Sequence, residues 1–331
     1  MLNVKYIVKR HTKGASENQM PERIMAHCRD WLVRSLATLW YRLDRRRRRI
    51  TLANLKLAYG AALSPAARER LARRVFCHFV RFGWEIGELL LAPLPLISRK
   101  VIILGEEHVQ AALAQGRGMV AIAAHAGNWE YTVMAFGLKH YPVTVVGREM
   151  DHPWAARLAR YLRQRSGNSM VAKQQGMKEI LGHLRQNRVV GIVIDQNTTT
   201  GGGLLVNFFG RPARTTPVAA LLARRGVPVL PTLSRRLADG RHLMVILPPL
   251  PLMKTSDAQA DIRRHLELQS RVIEAWVRTC PEQWLWLHRR WKNQFPEIYE
   301  ESYQPSAFSF QPKPGRSQTG DGKRKTENGK Q

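Results

Sequence analysis

Two hydrophobic patterns divide the chain near residue 100. Over residues 22–43, apolar side chains recur at the spacing of one face of a helix. Two more helical patterns lie within residues 51–91, and Ser64 followed by Pro65, a typical helix start, separates them. The region before residue 100 is therefore predicted to be helical.

From Lys100 onward, short apolar runs alternate with helical segments. This alternation is typical of a largely parallel sheet covered by helices. We therefore predict an α/β fold with a mostly parallel or mixed central sheet flanked by helices. The predicted strands cover residues 101–104, 119–123, 143–146, 189–194, 227–233 and 243–247, and the predicted helices cover 107–114, 128–138, 153–165, 177–186, 217–225 and 258–277.

The composition of the two ends of the chain differs from that of the region between them. Residues 1–21 are polar and irregular, and residues 304–331 are rich in Pro, Gly, Ser and Lys and poor in apolar side chains. We expect a flexible N-terminus at 1–21 and a disordered basic tail at 304–331. Between them lie the helical region, residues 22–99, and the α/β domain, residues 100–303.

The charge balance points to anionic partners. The chain carries 53 Lys and Arg against 25 Asp and Glu, a net charge of +28. Nucleic acid, an anionic membrane surface and an acidic soluble protein all fit this charge, which does not choose among them. Cys28, Cys77 and Cys280 are far apart and form no C-x-x-C pair, which argues against a disulfide scaffold or a zinc site.

The first helical pattern carries features of a membrane interface. Trp31, Trp40 and Tyr41 lie on it, and their amphipathic rings suit the boundary between lipid and water. Five arginines, residues 45–49, follow directly and can bind anionic lipid. No window holds the ~18 apolar residues of a membrane span, so we predict association by lying on the membrane. The alternatives are an amphipathic helix packed on the domain and, for the arginines, a solvated basic run or a nucleic-acid contact.

Candidate chemistry lies where the second predicted strand ends, in the segment HAGNWE of residues 125–130. On a continuous helix His125 and Glu130 would point roughly 140° apart, and Gly127 supplies the bend that lets them meet. An imidazole oriented by a carboxylate is suited to take a proton from a hydroxyl. A histidine paired with a carboxylate for structural reasons is the alternative.

Further polar residues follow other predicted strands. Arg148 comes after the strand over 143–146, and Asp195 and Gln196 close the strand over 189–194. These strand ends are expected to face one crevice with His125, where a guanidinium fits a phosphate with two parallel hydrogen bonds. No G-x-S-x-G, P-loop or G-x-G-x-x-G motif follows a strand, so a serine acyl-enzyme or a nucleotide site is unsupported.

Five motifs in order give the chain a resemblance to a known family. They are HAGNWE at 125–130, GRE at 147–149, IDQN at 194–197, the segment FFGRPARTTPVAALLARRGVPVLP from Phe208, and PEQWLWLHRRWK at 281–292. The region 49–292 resembles the lysophospholipid acyltransferase superfamily, and within it the lipid A late acyltransferase (lauroyl/myristoyl acyltransferase) branch. Residues 100–303 would then be the acyltransferase domain.

The resemblance implies transfer of a fatty acyl chain from a thioester, typically acyl carrier protein, to a hydroxyl of a lipid A precursor or related glycolipid. It implies His125 as general base with Glu130 as its orienting partner, and Arg148 as a contact for substrate phosphate. We also expect substrate contacts from Asn128, Asp195 and Gln196. No metal or cofactor is expected, and the expected location is the cytoplasmic face of the inner membrane, peripheral or monotopic, against anionic lipid.

One departure from the family pattern and the strong positive charge keep other interpretations open. GRE differs from the YRP form of well-studied lipid A enzymes, so another phospholipid or a phosphoinositol glycolipid remains a possible acceptor. A basic nucleic-acid-binding protein is the alternative from a different class, but the chain lacks a recognisable reading module and no nucleic-acid partner is expected. A third hypothesis is a non-catalytic membrane adaptor with the same fold.

Overall fold

The N-terminal part of the computed structural model is helical. The model describes residues 20–147, 153–172 and 176–300. Its first helices are α1 (Met20–Leu43), α2 (Arg45–Tyr59), α3 (Pro65–Leu91) and α4 (Leu94–Arg99). The run of five arginines is the start of α2, because Asp44 caps that helix by accepting a hydrogen bond from the Arg47 backbone N–H.

Helices α1 and α3 pack side by side. The Tyr41 hydroxyl donates to Glu69 at 2.7 Å, and the Tyr41 ring meets Phe76 edge to face. In the middle of α1, Asp30 forms an ion pair with Arg81 of α3. These contacts join α1 to the rest of the molecule along one side, while its opposite side remains exposed.

The exposed side of α1 carries several large apolar side chains among polar ones. It bears Trp31, whose exposed fraction is 70%, together with Leu32, Leu36, Leu39 and Leu43. We call these five residues the α1 apolar row. Within the described ranges, no helix has both the length and the apolar character needed to cross a bilayer.

The central sheet has seven strands in the order β1-β9-β8-β2-β5-β3-β4. Every pair is parallel except β8 with β9, which is antiparallel. A separate antiparallel hairpin is formed by β6 and β7. The strands are β1 (Val101–Leu104), β2 (Met119–Ala123), β3 (Val143–Gly147), β4 (Ser169–Ala172), β5 (Val189–Val193), β6 (Leu204–Phe208), β7 (Arg211–Thr215), β8 (Val229–Arg236) and β9 (His242–Ile246).

Helices cover both faces of this sheet. Along β2, Val120 and Ile122 belong to one buried cluster, while Met119 and Ala121 belong to another. This division follows from the alternation of side chains along a strand. The helices after β1 are α5 (Glu106–Leu113), α6 (Trp129–Leu138), α7 (Pro153–Gln164), α8 (Gly176–Arg185), α9 (Val218–Arg224), α10 (Ala258–Thr279) and α11 (Glu297–Glu300).

The predicted α/β fold with a mostly parallel, mixed central sheet is confirmed. All six predicted strands are present with small shifts at their ends, but β4 and the β6–β7 hairpin were not predicted. The expected tail over 304–331, most of the expected flexible N-terminus and Arg148 lie outside the described residues.

Candidate active site

The candidate site is built on the turn between β2 and α6. Gly127 adopts a positive φ of 64°, and a Cβ placed on it would lie 2.7 Å from the Cα of Arg235. This position therefore requires glycine. The turn is held by the Gly127 N–H, which donates to the Gln283 carbonyl at 3.0 Å, and by the Ser234 hydroxyl, which donates to the Ala126 carbonyl at 2.7 Å.

His125 is fixed by the carboxylate of Asp195. The His125 ring Nδ1 lies 2.7 Å from Asp195 Oδ1, and the His125 backbone N–H donates to Asp195 Oδ2, also at 2.7 Å. Oδ2 accepts a further hydrogen bond from the Trp284 indole N–H at 2.7 Å. Burial disfavours the charge on Asp195, but the His125 ring and these hydrogen bonds outweigh it and lower the pKa of the carboxyl.

An ionised Asp195 determines the tautomer of His125. A carboxylate only accepts hydrogen bonds, so Nδ1 carries the hydrogen and Nε2 keeps a free lone pair. Nε2 lies 3.4 Å from the side-chain nitrogen of the exposed residue Gln196. The His125 side chain is 18% exposed, whereas that of Asp195 is 1% exposed. The basic nitrogen is therefore on the accessible side of the ring.

Glu130 contacts a different partner from the one expected. Its carboxylate pairs with Arg163 of α7 at 3.3 Å. The His125 Nδ1 contacts Asp195, although the sequence predicted Glu130 as its partner. The reason is the pairing of β2 with β5, in which Ala123 lies opposite Val193. The two strands end together at one edge of the sheet, and the residues that follow them become neighbours.

Asn128 is fully buried. Its side-chain oxygen caps α6 by accepting from the Tyr131 N–H at 3.1 Å, and its amide donates to Glu85 of α3 at 2.8 Å. Both ends of the side chain are thus used inside the protein, in contrast to the substrate contact expected from the sequence. Glu85 also binds Arg236 of β8, so the turn is tied to α3 and the sheet at once.

The segment that follows α10, residues 281–292, supports the site through hydrogen bonds, a role that the sequence did not indicate. The Leu285 N–H donates to the His125 carbonyl at 3.1 Å, and Trp284 binds Asp195 as described. Trp284, Trp286 and Trp291 are buried in the core, so this segment is firmly packed.

Arg290 belongs to the same segment and is also buried. It donates to the backbone carbonyls of Gln196 at 2.7 Å and Arg214 at 2.6 Å. Burial lowers the pKa of Arg290 to about 10, and the nearby charge of Asp195 acts in the opposite direction. Arg290 thereby fixes the loop that follows Asp195.

His288 completes this support. Its Nε2 accepts a hydrogen bond from the Asn197 backbone N–H at 3.2 Å, which requires a neutral ring nitrogen. Burial lowers its pKa to about 4. Within the described part of the chain, no cluster of three His, Cys, Asp or Glu residues is placed to hold a metal ion.

The comparisons with known proteins define the class of protein as an acyltransferase. Residues 15–293 match the family model described as bacterial lipid A biosynthesis acyltransferase. The chain therefore belongs to the bacterial lipid A biosynthesis acyltransferase family, as the order of its motifs predicted.

Individual relatives agree with this assignment. The chain is 28% identical to the lipid A biosynthesis lauroyltransferase of Escherichia coli K12 over 260 residues, which cover 78% of this chain and 83% of that protein. It is 25% identical to the lipid A biosynthesis acyltransferase of Haemophilus influenzae over 222 residues, 66% of this chain and 68% of the relative. A shorter match, 33% identity over 137 residues, joins it to the phosphatidylinositol mannoside acyltransferase of Mycobacterium tuberculosis and covers 40% and 43% of the two chains.

Proposed function

We propose that the protein transfers a fatty acyl chain from acyl carrier protein to a hydroxyl of a lipid A precursor, with His125 as the general base. The observation that carries this proposal is the contact between His125 and the buried Asp195, which leaves Nε2 on the accessible side of the ring. Membership of the lipid A biosynthesis acyltransferase family supports the class of acceptor.

The proposed reaction is a direct transfer. Nε2 takes the proton of the acceptor hydroxyl while the oxygen attacks the thioester carbonyl. The carbon–sulfur bond then breaks, an ester remains on the lipid, and the proton passes from the imidazolium to the leaving thiolate. Asp195 stabilises the imidazolium between these steps. The N-terminus of α6 favours negative charge as it develops on the carbonyl oxygen.

The remaining candidate residues receive separate roles in this proposal. Gln196 is exposed beside Nε2, where it can contact the acceptor. Asn128 and Glu130 hold α6 through Glu85 and Arg163, so we assign them positioning roles. Arg148 remains our candidate for a substrate phosphate, on its place after β3 and its match to the family motif.

The donor and the alternative acceptor rest on different observations. A net charge of +28 attracts an acidic carrier protein as well as anionic lipid, which agrees with acyl carrier protein as donor. The match to a phosphatidylinositol mannoside acyltransferase favours a phosphoinositol glycolipid as the second candidate acceptor.

We further propose that residues 22–99 attach the enzyme to the cytoplasmic face of the inner membrane as a peripheral or monotopic protein. The α1 apolar row is exposed along the helix, and the arginines that open α2 follow it directly. Apolar side chains that enter the interface and basic residues that meet anionic head groups strengthen each other's binding.

Transfer of a labelled acyl chain tests the reaction. Purified protein is mixed with acyl carrier protein bearing a labelled fatty acid and with either a lipid A precursor or a phosphoinositol mannoside. We expect label in the lipid A precursor, and no product with His125→Ala. His108→Ala, at a half-exposed histidine on α5, is the matched control and should retain activity.

Two results would contradict the proposal. A His125→Ala protein with wild-type rates would remove the base assignment. Failure to acylate any hydroxylated lipid, together with tight and salt-sensitive binding to DNA, would favour the nucleic-acid interpretation instead. If label enters only the phosphoinositol mannoside, that lipid class is the acceptor, and the reaction is still acyl transfer.

A further inference from the structure

A pocket lined by arginines lies between α1, α3 and the turn that joins β8 to β9. Its volume is about 410 Å³. Five arginines and two carboxylates line it, together with uncharged side chains and His78. The charged lining residues are Arg34, Arg74, Arg81, Arg235, Arg236, Asp30 and Glu282.

The carboxylates near this pocket satisfy three of the arginines. Arg81 pairs with Asp30, and Arg74 pairs with Glu282 at 2.9 Å. Arg236 binds Glu85 behind the pocket wall, with one nitrogen 2.6 Å from a carboxylate oxygen. These three pairs leave the pocket with an excess of positive charge.

Arg34 and Arg235 supply that excess. Within residues 20–147, 153–172 and 176–300, neither guanidinium forms an ion pair with a carboxylate, and the Nε of Arg235 is buried without a hydrogen-bond partner. This excess of positive charge affects Arg81. Burial and the neighbouring Arg236 and Arg29 lower the pKa of Arg81 despite the charge of Asp30. An anion in the pocket would relieve this repulsion.

The pocket is separate from the reacting nitrogen of His125. The turn at Gly127 stands between them, because Gly127 packs on the backbone of Arg235 and donates to the carbonyl of Gln283, which also lines the pocket. The pocket also borders α1, where Val33 and Arg34 line it and Trp31 begins the α1 apolar row. Trp31 lies one helical turn before Arg34, so an exposed aromatic side chain lies beside this opening and can contact the acyl part of a lipid whose head group enters the pocket.

We propose that this pocket binds the phosphate of a lipid with a phosphomonoester head group. A phosphomonoester carries close to two negative charges at neutral pH and offers three acceptor oxygens. Two guanidiniums without acidic partners, each able to give two parallel hydrogen bonds, complement such a group. The subsite is distinct from the acyl-transfer step and does not depend on the role of His125.

Binding of a short-chain lipid tests the proposal without any acyl donor. Dihexanoyl phosphatidic acid, kept below its micelle-forming concentration, is titrated into the full chain and the heat is measured. We expect saturable binding by the wild type, and binding weaker by roughly tenfold or more in the Arg34→Gln/Arg235→Gln double variant, since each lost guanidinium removes charge-assisted hydrogen bonds. Dihexanoyl phosphatidylcholine, which has no net charge, should not bind.

A matched control carries the same loss of charge elsewhere. Arg264→Gln/Arg271→Gln removes two exposed arginines of α10 that do not line the pocket, and it should bind like the wild type. Arg34→Gln alone changes an exposed helical residue and should bind with intermediate affinity even if the double variant fails to fold. Thermal unfolding of each variant checks its fold.

Three outcomes would overturn the proposal. Equal binding by the wild type and the folded Arg34→Gln/Arg235→Gln variant would place the phosphate elsewhere. Inorganic phosphate that binds as tightly as the lipid would make free phosphate, not a lipid, the ligand. Absence of phosphatidic acid binding, with saturable binding of acyl carrier protein that Arg34→Gln weakens, would make the pocket a protein-docking site.

Discussion

The pairing of His125 with Asp195 shows what a single sequence motif can and cannot indicate. The spacing in HAGNWE and the end of an apolar run predicted His125 as a site residue and placed Asp195 at the same sheet edge. The direct contact between them is set by the parallel register of β2 with β5, across 70 residues of chain. Local spacing contains no information on that register, so the nearer carboxylate, Glu130, was chosen as the partner.

The Asp195→Asn substitution should reduce turnover more than Glu130→Gln. In Asp195→Asn the ring loses the charge that stabilises the imidazolium, and we expect kcat to fall on the order of 10²-fold to 10³-fold with KM little changed. Glu130→Gln retains a polar contact to Arg163 and should cost much less. Steady-state rates of labelled acyl transfer measure both, and a larger loss in Glu130→Gln would restore the pairing expected from the sequence.

The turn glycine gives a second prediction at this scale. Gly127→Ala combines a positive φ with a clash against the Arg235 backbone, whereas Gly210→Ala has a similar φ of 73° and open space around it. We expect Gly210→Ala to lose about 1 kcal/mol of unfolding free energy from backbone strain alone. Gly127→Ala should lose clearly more and also lose activity. Urea unfolding and transfer assays measure these effects, and equal losses would show that the Arg235 contact is unimportant.

At the scale of elements, strongly periodic segments were predicted and short polar ones were not. The helices over 20–43 and 258–279 follow clear apolar stripes, and β2 and β5 are continuous apolar runs. β4 reads Ser-Met-Val-Ala, with one β-branched residue where the equally short β1 has three, and β7 reads Arg-Pro-Ala-Arg-Thr, which shows no apolar alternation. The β6–β7 hairpin turns at Phe209 and Gly210, both with positive φ, and pairing with β6 rather than composition makes β7 a strand.

The α1 apolar row gives a prediction for membrane binding. Replacing Trp31 and Leu36 by Asp places charges on the exposed apolar side of α1, and we expect the protein to be released from vesicles that contain anionic phosphatidylglycerol. Leu252→Asp, at an exposed leucine outside α1, is the matched control and should remain bound. Co-sedimentation with vesicles measures the bound fraction, and unchanged binding of the Trp31→Asp/Leu36→Asp protein would contradict a role for α1.

For the whole molecule, buried neutral histidines link stability to pH. Burial is the largest cause that lowers the pKa of His242 and His288, each to about 4, and it lowers the pKa of His78 and His265 as well. In the unfolded chain these rings titrate near their ordinary value of about 6.5. Between the two values the unfolded chain binds more protons than the folded protein, so acid favours unfolding.

We therefore expect the free energy of unfolding to be fully present above pH 6.5 and to fall as the pH drops toward 4. Each such histidine contributes a slope of up to about 1.4 kcal/mol per pH unit. Urea unfolding at several pH values measures the slope, and His265→Leu, which keeps an apolar group at a buried site, should reduce it. A stability that does not change between pH 7 and 5 would show that these rings are charged in the folded protein.

The support of the site by Trp284, Leu285 and Arg290 has a consequence during synthesis. The strand that delivers His125 leaves the ribosome long before these residues, which anchor Asp195, His125 and the loop at Gln196. At a rate on the order of ten residues per second, the nascent chain contains His125 and Asp195 for several seconds before the anchoring residues are synthesised. Until then the pair lacks the hydrogen bonds from Trp284 and Leu285, so we expect competence for acyl transfer only after this late segment has folded.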